Sequence, residues 1–295
     1  MSSVDHRAAL LLLLKQRLTN LVEAMPAAQA GDMRSVHQAR VASRRLREAL
    51  PVLRASVNSH ALSRVRDQVR EMTRALGPVR ELDVALAHLD EIATRNVVSS
   101  RALGRVRQKI ARERLAHRRQ MLAAITPGKI EKLRRRLGEV SSGPAAPQSA
   151  AALEEAAAQV AKRAGRLNAA VVRAGGLYLA DRLHAVRVAA KKLRYALEIE
   201  RELKRSRSTA RITQLKRLQD LLGRMHDFEI LIDRTRHVQA DLAVSDRKLT
   251  TELDILVRAL EGECRTDHAT YMRRRASIVK LCDTLAPDDA TSAVA

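Results

Sequence analysis

Apolar and polar residues follow a helical period in a 15-residue segment that occurs twice in the chain. Residues 36–50 read VHQARVASRRLREAL, and residues 183–197 read LHAVRVAAKKLRYAL. At about 100° per residue, the apolar positions +5, +9 and +13 after each histidine fall together, at about 140° to 220°. The basic positions +3, +7 and +10 fall at about −60°, −20° and −80°, on the other side. Each copy therefore predicts an amphipathic helix with a core stripe and a cationic stripe.

Helical spacing continues along most of the chain and predicts an all-α fold. Before a stretch rich in proline, glycine and serine, we expect helices at 4–27, 33–56, 59–76, 79–95, 99–124 and 128–139. After it, we expect helices at 151–173, 180–205, 208–222, 225–240 and 246–283. Proline and glycine mark the predicted breaks, which are Pro26, Gly31, Pro51 or the turn after it, Pro78, Pro127, Gly175, Gly176 and Gly223.

A second pair of segments indicates that the chain is internally duplicated. LGPVRELDVAL starts at residue 76 and LGRMHDFEIL at residue 222, so that Gly77 matches Gly223. This offset of 146 residues is one less than the 147 residues between His37 and His184. Two motifs in the same order predict two similar halves. We place the first helical half at 1–140, a linker at 141–150, the second helical half at 151–286 and a frayed C-terminal tail at 287–295.

The net charge of the chain points to an anionic partner. Fifty-five Lys and Arg residues against 33 Asp and Glu give a formal net charge of +22. Such an excess destabilises a compact state by self-repulsion unless an anion meets it. Three Tyr, one Phe and no Trp disfavour a β-rich fold, and they also disfavour single-stranded nucleic acid, which stacks on aromatic side chains. The composition therefore predicts a polyanionic partner.

Cysteine usage and hydropathy indicate a cytoplasmic protein. Cys264 and Cys282 form no CxxC pattern, so we expect neither a disulfide scaffold nor a thiolate zinc site. The apolar run at 8–14 is followed directly by Lys15 and is shorter than the ~20 residues of a membrane span. We read it as the buried stripe of the first helix and expect no membrane insertion, no metal and no cofactor.

The repeated motifs resemble the CHAD family, named for a conserved histidine α-helical domain. The resemblance rests on HxxRVAxRRLRxAL and LGxxRxxDVAL in the first half, and on HxxRVAxKKLRYAL and LGxxHD in the second. It implies two four-helix-bundle-like halves related by pseudo-twofold symmetry, with a basic groove or pore between them that binds inorganic polyphosphate. The anion contacts that it implies are His37, Arg40, Arg44, Arg45 and Arg47, with His184, Arg187, Lys191, Lys192 and Arg194.

Several of these residues also admit structural roles. A run of basic residues usually forms a solvated helix face, but these stripes carry no acidic residue and occur twice. The two motif histidines could be packed structural residues, phosphate donors or, with little support from spacing, metal ligands. Two further pairs at equivalent positions could extend the anion site or act only in capping, packing or exposure; these are Arg80 with His226, and Arg70 with Lys216.

No catalytic motif accompanies the basic stripes. The chain lacks a P-loop, a GxSxG elbow and an HExxH motif, and EIERE at 198–202 lacks the final lysine of the ExExK fingerprint in CYTH triphosphate-processing domains. We therefore expect a polyphosphate-binding protein without its own hydrolase, cytoplasmic and located on polyphosphate granules. The alternatives are a nucleic-acid-binding protein of the nucleoid-associated type and a scaffold that docks an acidic protein. The sequence leaves open whether the chain forms a homo-oligomer.

Overall fold

The described part of the chain consists of α-helices joined by short connections. The computed structural model describes residues 3–51, 59–142, 150–204, 206, 209–242 and 246–286. These residues form no strand. The helices are α1 (Ser3–Ala30), α2 (Met33–Ala49), α3 (Ser59–Ala93), α4 (Ser100–Ala124), α5 (Pro127–Ser142), α6 (Ala150–Ala174), α7 (Ala180–Leu203), α8 (Ala210–Ala240) and α9 (Arg247–Leu285). The predicted all-α class is confirmed.

Each half of the chain has its own hydrophobic core. The first core lies mainly among α1, α2, the first part of α3, and α5, and it contains the predicted stripe residues Ala42, Leu46 and Leu50 of α2. The second core lies among α6, α7, the first part of α8 and the last part of α9. Leu193 and Leu197 of α7 are buried there. The apolar stripes of both repeated helices therefore face their bundle cores, which turns the cationic stripes away from them.

A third core joins the two halves. It combines the second part of α3 and the first part of α4 with the second part of α8 and the first part of α9. Leu82, Leu89, Leu231 and Leu253 are fully buried in it. Because α3 and α8 each run from a bundle core into this shared core, they hold α2 and α7 on opposite sides of the space between the halves.

Three predicted helix breaks are wrong. Pro26 lies inside α1, Pro78 lies inside α3, and Gly223 lies inside α8, so that 59–76 with 79–95, and 208–222 with 225–240, are single helices. A proline in a helix removes one hydrogen bond and costs about 3 kcal/mol. At Pro78 this cost is opposed by complete burial of Leu76 and Val79 on either side. Tertiary packing therefore overrides the local signal for a break.

Other predicted boundaries agree with the structure. Gly31 has a φ of +101°, in the left-handed region that favours glycine, and ends α1. The next helix is capped by Asp32, whose carboxylate accepts a hydrogen bond from the backbone N–H of Ser35 at 2.7 Å. Proline 127 opens α5, as predicted.

Some predictions fall outside the described residues. Helix α2 ends at Ala49, before the predicted 56, and residues 52–58 are not described. Most of the predicted linker, at 143–149, and the tail at 287–295 also lie outside them. Four helices, α1–α4, precede α5 and four helices, α6–α9, follow it. The pseudo-twofold relation between these two sets stays a prediction. Among the described helices, none is long and apolar enough to cross a membrane.

Candidate anion-binding site

A polar cavity of about 550 Å³ lies between the two halves, and we call it the central cavity. Its walls come from α2 and α3 of the first half and from α7 and α8 of the second. Cations outnumber carboxylates in this lining. The ionisable residues that line it are His37, Arg40, Arg44, Arg80, Glu81, His88, Arg187, Lys191, Arg194, Tyr195, Asp220, Arg224, His226 and Asp227.

The +3 and +7 cations of both repeated helices meet in this cavity. Arg40 and Arg44 come from α2, whereas Arg187 and Lys191 come from α7. Within the described chain, Arg40, Arg44 and Lys191 form no ion pair. Arg187 reaches only Asp227, with 3.9 Å between its Nη2 and the carboxylate Oδ1. The repeated motif therefore assembles four cations whose charge is largely uncompensated.

This concentration of positive charge shifts the ionisation of the cavity residues. Burial, together with the positive charges of Arg187, Arg44 and Arg40, lowers the pKa of Lys191 to about 6. Burial also lowers the pKa of Arg40 to about 10, with Arg44 and Arg187 acting in the same direction. The pKa values of Arg44 and Arg80 are lowered mainly by burial too. The protonated forms are destabilised here, and a bound anion would relieve that destabilisation.

In each half, the glycine of the LGxx motif lies beside the +3 arginine of the repeated helix: Gly77 beside Arg40, and Gly223 beside Arg187. A Cβ atom at Gly77 would lie 2.7 Å from Nη1 of Arg40, closer than real Cβ contacts allow. A Cβ atom at Gly223 would lie 3.7 Å from Nε of Arg187, an ordinary contact distance. Glycine at 77 therefore makes room on α3 for the guanidinium of Arg40. The sequence prediction assigned these glycines to helix breaks and missed this role.

The motif histidines occupy different settings in the two halves. His37 lies at the rim of the central cavity and is exposed to solvent. His184 instead contacts the cavity residue His226, with 3.4 Å between the two Nδ1 atoms. Partial desolvation of the ring lowers the pKa of both His37 and His184, and nearby cations add to this effect. Both shifts favour the neutral ring in the absence of an anion.

Arg80 and His226 line the cavity, but the predicted helix N-termini at these positions are wrong. Both residues lie inside continuous helices, α3 and α8, so their backbone N–H groups are engaged within the helix. Only their side chains can serve an anion. The adjacent acids, Glu81 and Asp227, line the cavity as well and correspond to each other at the 146-residue offset.

Six of the predicted contacts lie away from the central cavity, and Arg194, which lines it, is paired with an acid. Glu198 of α7 accepts from Arg194 at 2.6 Å and lies 3.2 Å from Nε of Arg45, while Arg47 pairs with Glu48. Arg194 nevertheless lines the cavity and stacks over the ring of Tyr195 at 4.7 Å. The predicted contacts that do not line the central cavity are Arg45, Arg47, Arg70, His184, Lys192 and Lys216. His184 contacts His226, which does line it.

A neighbouring cavity of about 790 Å³ lies among α1, α2, α7 and α8 and shares His37 and Arg194 with the central one. It contains Arg45 and Lys216, but Glu23, Glu198 and Glu202 also line it. Sequence reasoning missed Arg17, whose Nη1 donates to the backbone oxygen of Arg45 at 2.7 Å. Acidic residues are three of the eight Lys, Arg, Asp and Glu side chains that line this cavity, against three of ten in the central cavity, so its excess of positive charge is smaller.

Sequence reasoning also missed Arg224, which lines the central cavity. Its Nη2 lies 2.5 Å from a carboxylate oxygen of Glu263 on α9, and the guanidinium stacks over Phe228 at 5.1 Å. Its counterpart at the 146-residue offset is Pro78, so the repeat contained no signal for it. Among the described residues, no group of three or more His, Cys, Asp or Glu side chains could hold a metal ion.

The helical halves with a basic cavity between them define the class of the protein as all-α. More specifically, the chain belongs to the CHAD family, because the sequence model of the CHAD domain matches residues 12–236. The fold is similar to that of PptA from Streptomyces chartreusis, with a TM-score of 0.67 and 16% identity over 90% of this chain and 98% of that one. It is also similar to the CHAD domain from the plant Ricinus communis, with a TM-score of 0.58 and 22% identity over 95% of this chain and 91% of that one. No protein with a curated description matches the chain.

Proposed function

We propose that this protein binds inorganic polyphosphate in the central cavity and that both repeated helices contact the same chain of phosphates. The observation that carries the proposal is the convergence of Arg40, Arg44, Arg187 and Lys191 from the two halves, almost without compensating carboxylates. Membership in the CHAD family, whose members bind polyphosphate, supports this ligand.

The chemistry of the cavity suits a phosphate chain. Each guanidinium can hold two phosphate oxygens in a bidentate fork, and the Lys191 ammonium adds a compact charge. A polyphosphate chain releases condensed counterions when cations neutralise it, so affinity should fall steeply as salt rises. The anion would also raise the pKa of Lys191 toward its ordinary range and thereby restore its charge.

The recessed position of the cations favours polyphosphate over duplex DNA. A cavity of about 550 Å³ between two helix pairs admits a thin, flexible chain. Duplex recognition instead places a helix or ribbon of the protein into a groove about 12 Å wide. Single-stranded nucleic acid would find one aromatic ring in this lining, that of Tyr195, which already contacts Arg194. Nucleic acid therefore stays the second candidate.

We further propose that the protein binds polyphosphate without hydrolysing it and associates with polyphosphate granules. The missing phosphoryl-transfer motifs of the sequence support the first statement, and the net charge of +22 supports the second.

A competition titration tests the proposed ligand. Purified, nuclease-treated protein is titrated with labelled long-chain polyphosphate at physiological salt, and duplex DNA is added as competitor. We expect tight binding that excess DNA does not displace. If DNA competes equally per phosphate, the protein is a general polyanion binder, and the nucleic-acid function replaces the polyphosphate function.

A further inference from the structure

Lys191 is the one lysine that lines the central cavity in the part of the chain that the structure describes. The titratable groups that share this lining are His37, Arg40 and Arg44 from α2, Arg80, Glu81 and His88 from α3, Arg187, Arg194 and Tyr195 from α7, and Asp220, Arg224, His226 and Asp227 from α8. Within the described chain, no carboxylate forms an ion pair with the Lys191 ammonium; Asp227 pairs with Arg187 and favours the Lys191 proton only from a greater distance. The amine thus lies among guanidinium groups without a carboxylate at ion-pair distance.

A lysine in this setting is a nucleophile at neutral pH. Burial and the neighbouring arginines lower the pKa of Lys191 to about 6, so its amine is mostly neutral at pH 7.5. An ordinary lysine, with a pKa of about 10.4, is neutral in only roughly one molecule in a thousand at that pH. Only the neutral amine can attack an electrophile, as in enzymes that use desolvated lysines beside other cations.

The same arginines can deliver an electrophile to this amine. An acyl phosphate carries a phosphate group and a reactive carbonyl carbon in one small molecule, and Arg40, Arg44 and Arg187 are placed to hold the phosphate. We propose that Lys191 is a site of covalent acylation by small acyl phosphates that bind in the central cavity. This rests on the capacity of the cavity for phosphate groups, as in the proposed function, but not on polyphosphate being the natural ligand.

The reaction balances without a further reagent. The lone pair of Nζ attacks the carbonyl carbon, and the bond between that carbon and the phosphate oxygen breaks. Inorganic phosphate leaves with the bonding electron pair, and the proton lost by the amine passes to phosphate or water. The product is an amide at Lys191, which removes one positive charge from the cavity.

The chain contains a matched control beside the proposed site. Lys192 is the next residue of α7 and is exposed to solvent. Cleavage after acidic residues releases both lysines in the single peptide 182–198, between Asp181 and Glu198. Fragmentation of that peptide by mass spectrometry therefore compares the two amines in the same molecule.

The test is a time course with acetyl phosphate on the full-length protein between pH 5.5 and 9.5. We expect Lys191 to be acetylated at least about tenfold faster than Lys192 at pH 7.5, because far more of its amine is neutral. At sub-saturating acetyl phosphate the rate at Lys191 reports the free protein, so it should level off above a midpoint near pH 6, whereas the rate at Lys192 should keep rising to pH 9.5. Inorganic phosphate in excess should protect Lys191 and leave Lys192 unchanged.

Equal rates at the two lysines, or a faster rate at Lys192, would overturn the proposal. A neutral acetyl ester separates the contribution of the neutral amine from the contribution of phosphate binding, because the ester reacts with the amine but carries no phosphate group. The preference for Lys191 should be smaller with the ester. Arg187→Gln should reduce the preference more with acetyl phosphate than with the ester, because Arg187 binds the phosphate in addition to lowering the pKa of Lys191. Selective acetylation in a protein that fails to bind polyphosphate would contradict the proposed function alone, whereas polyphosphate binding without selective acetylation would contradict this inference alone.

Discussion

The two repeated helices supply cations of different kinds to the same cavity. Helix α2 contributes Arg40 and Arg44, and arginine keeps its proton at every physiological pH. Helix α7 contributes Arg187 and Lys191, and the lysine loses its proton near neutrality because burial lowers its pKa to about 6. The duplicated motif therefore preserves the positions of the cations. The charge at +7 is permanent in the first half, at Arg44, and depends on pH in the second half, at Lys191.

Helices α3 and α8, which lie beside α2 and α7, also differ in how they contact the arginines of the repeated helices. On α3, Gly77 leaves space that the Arg40 guanidinium fills, whereas on α8 the side chain of Arg187 stays at an ordinary distance from Gly223. The first half thus packs its arginine tightly against the neighbouring helix. The second half holds its arginine loosely, with Asp227 as a distant partner at 3.9 Å. Equivalent sequence positions need not be equally constrained.

The largest expected effect comes from reversing one charge in each half. The double variant Arg44→Glu, Lys191→Glu should lose at least about a hundredfold in polyphosphate affinity, since two charge-assisted contacts are worth roughly 3–6 kcal/mol. Helicity measured by circular dichroism should not change, because both side chains lie on the cationic stripes. The control is Arg70→Glu, Lys192→Glu, which removes as much charge outside the central cavity. Unchanged affinity in the folded cavity variant would refute the proposed site.

The next prediction has a smaller expected effect and distinguishes the roles of Gly77 and Gly223. In Gly77→Ala, the new methyl group would displace the Arg40 guanidinium, so we expect about a tenfold weaker polyphosphate affinity, consistent with the loss of one charged contact. In Gly223→Ala, the methyl group fits, so affinity should stay the same and unfolding should cost about 0.5–1 kcal/mol more. Isothermal titration and denaturant unfolding measure the two quantities. Equal losses of affinity would show that Arg40 and Arg187 are equally constrained.

The smallest effect is a pH dependence confined to the second half. The free protein binds a proton at Lys191 only below about pH 6, whereas a bound polyanion raises that pKa. Binding then takes up a proton above pH 6, so affinity should fall severalfold as pH rises from about 6 to 8. In Lys191→Arg the charge is permanent, and this slope should be reduced. A slope of the same size in the variant would contradict the assignment to Lys191.

The main charges of the site could be predicted from sequence because a helix has a fixed period. Positions +3 and +7 lie within about 40° of each other, so Arg40, Arg44 and their counterparts in the second half had to share a face. Position +8 falls about 100° from +7. For this reason Arg45 and Lys192 point away from the central cavity, although they are adjacent to its residues.

The remaining features depend on contacts between distant segments. Glu198 forms ion pairs with both Arg45 and Arg194. It lies 153 residues from Arg45, so no local pattern shows that pair, whereas its pair with Arg194 has the i, i+4 spacing of a helix. Arg224 reaches the cavity only because α8 continues through Gly223 and packs against α9. Local preference predicts breaks at Pro26, Pro78 and Gly223, whereas tertiary packing, such as the burial of Leu76 and Val79 beside Pro78, decides the outcome.

The shared core formed by α3, α4, α8 and α9 has a consequence for how the protein unfolds. A chain made of two independent bundles would melt in two steps, one for each bundle. Here α3 and α8 each contribute to two cores, so losing either bundle would also expose Leu82, Leu231 and their neighbours in the core that joins them. The two halves therefore unfold as one cooperative unit, and a destabilising substitution in one half lowers the melting temperature of the whole molecule.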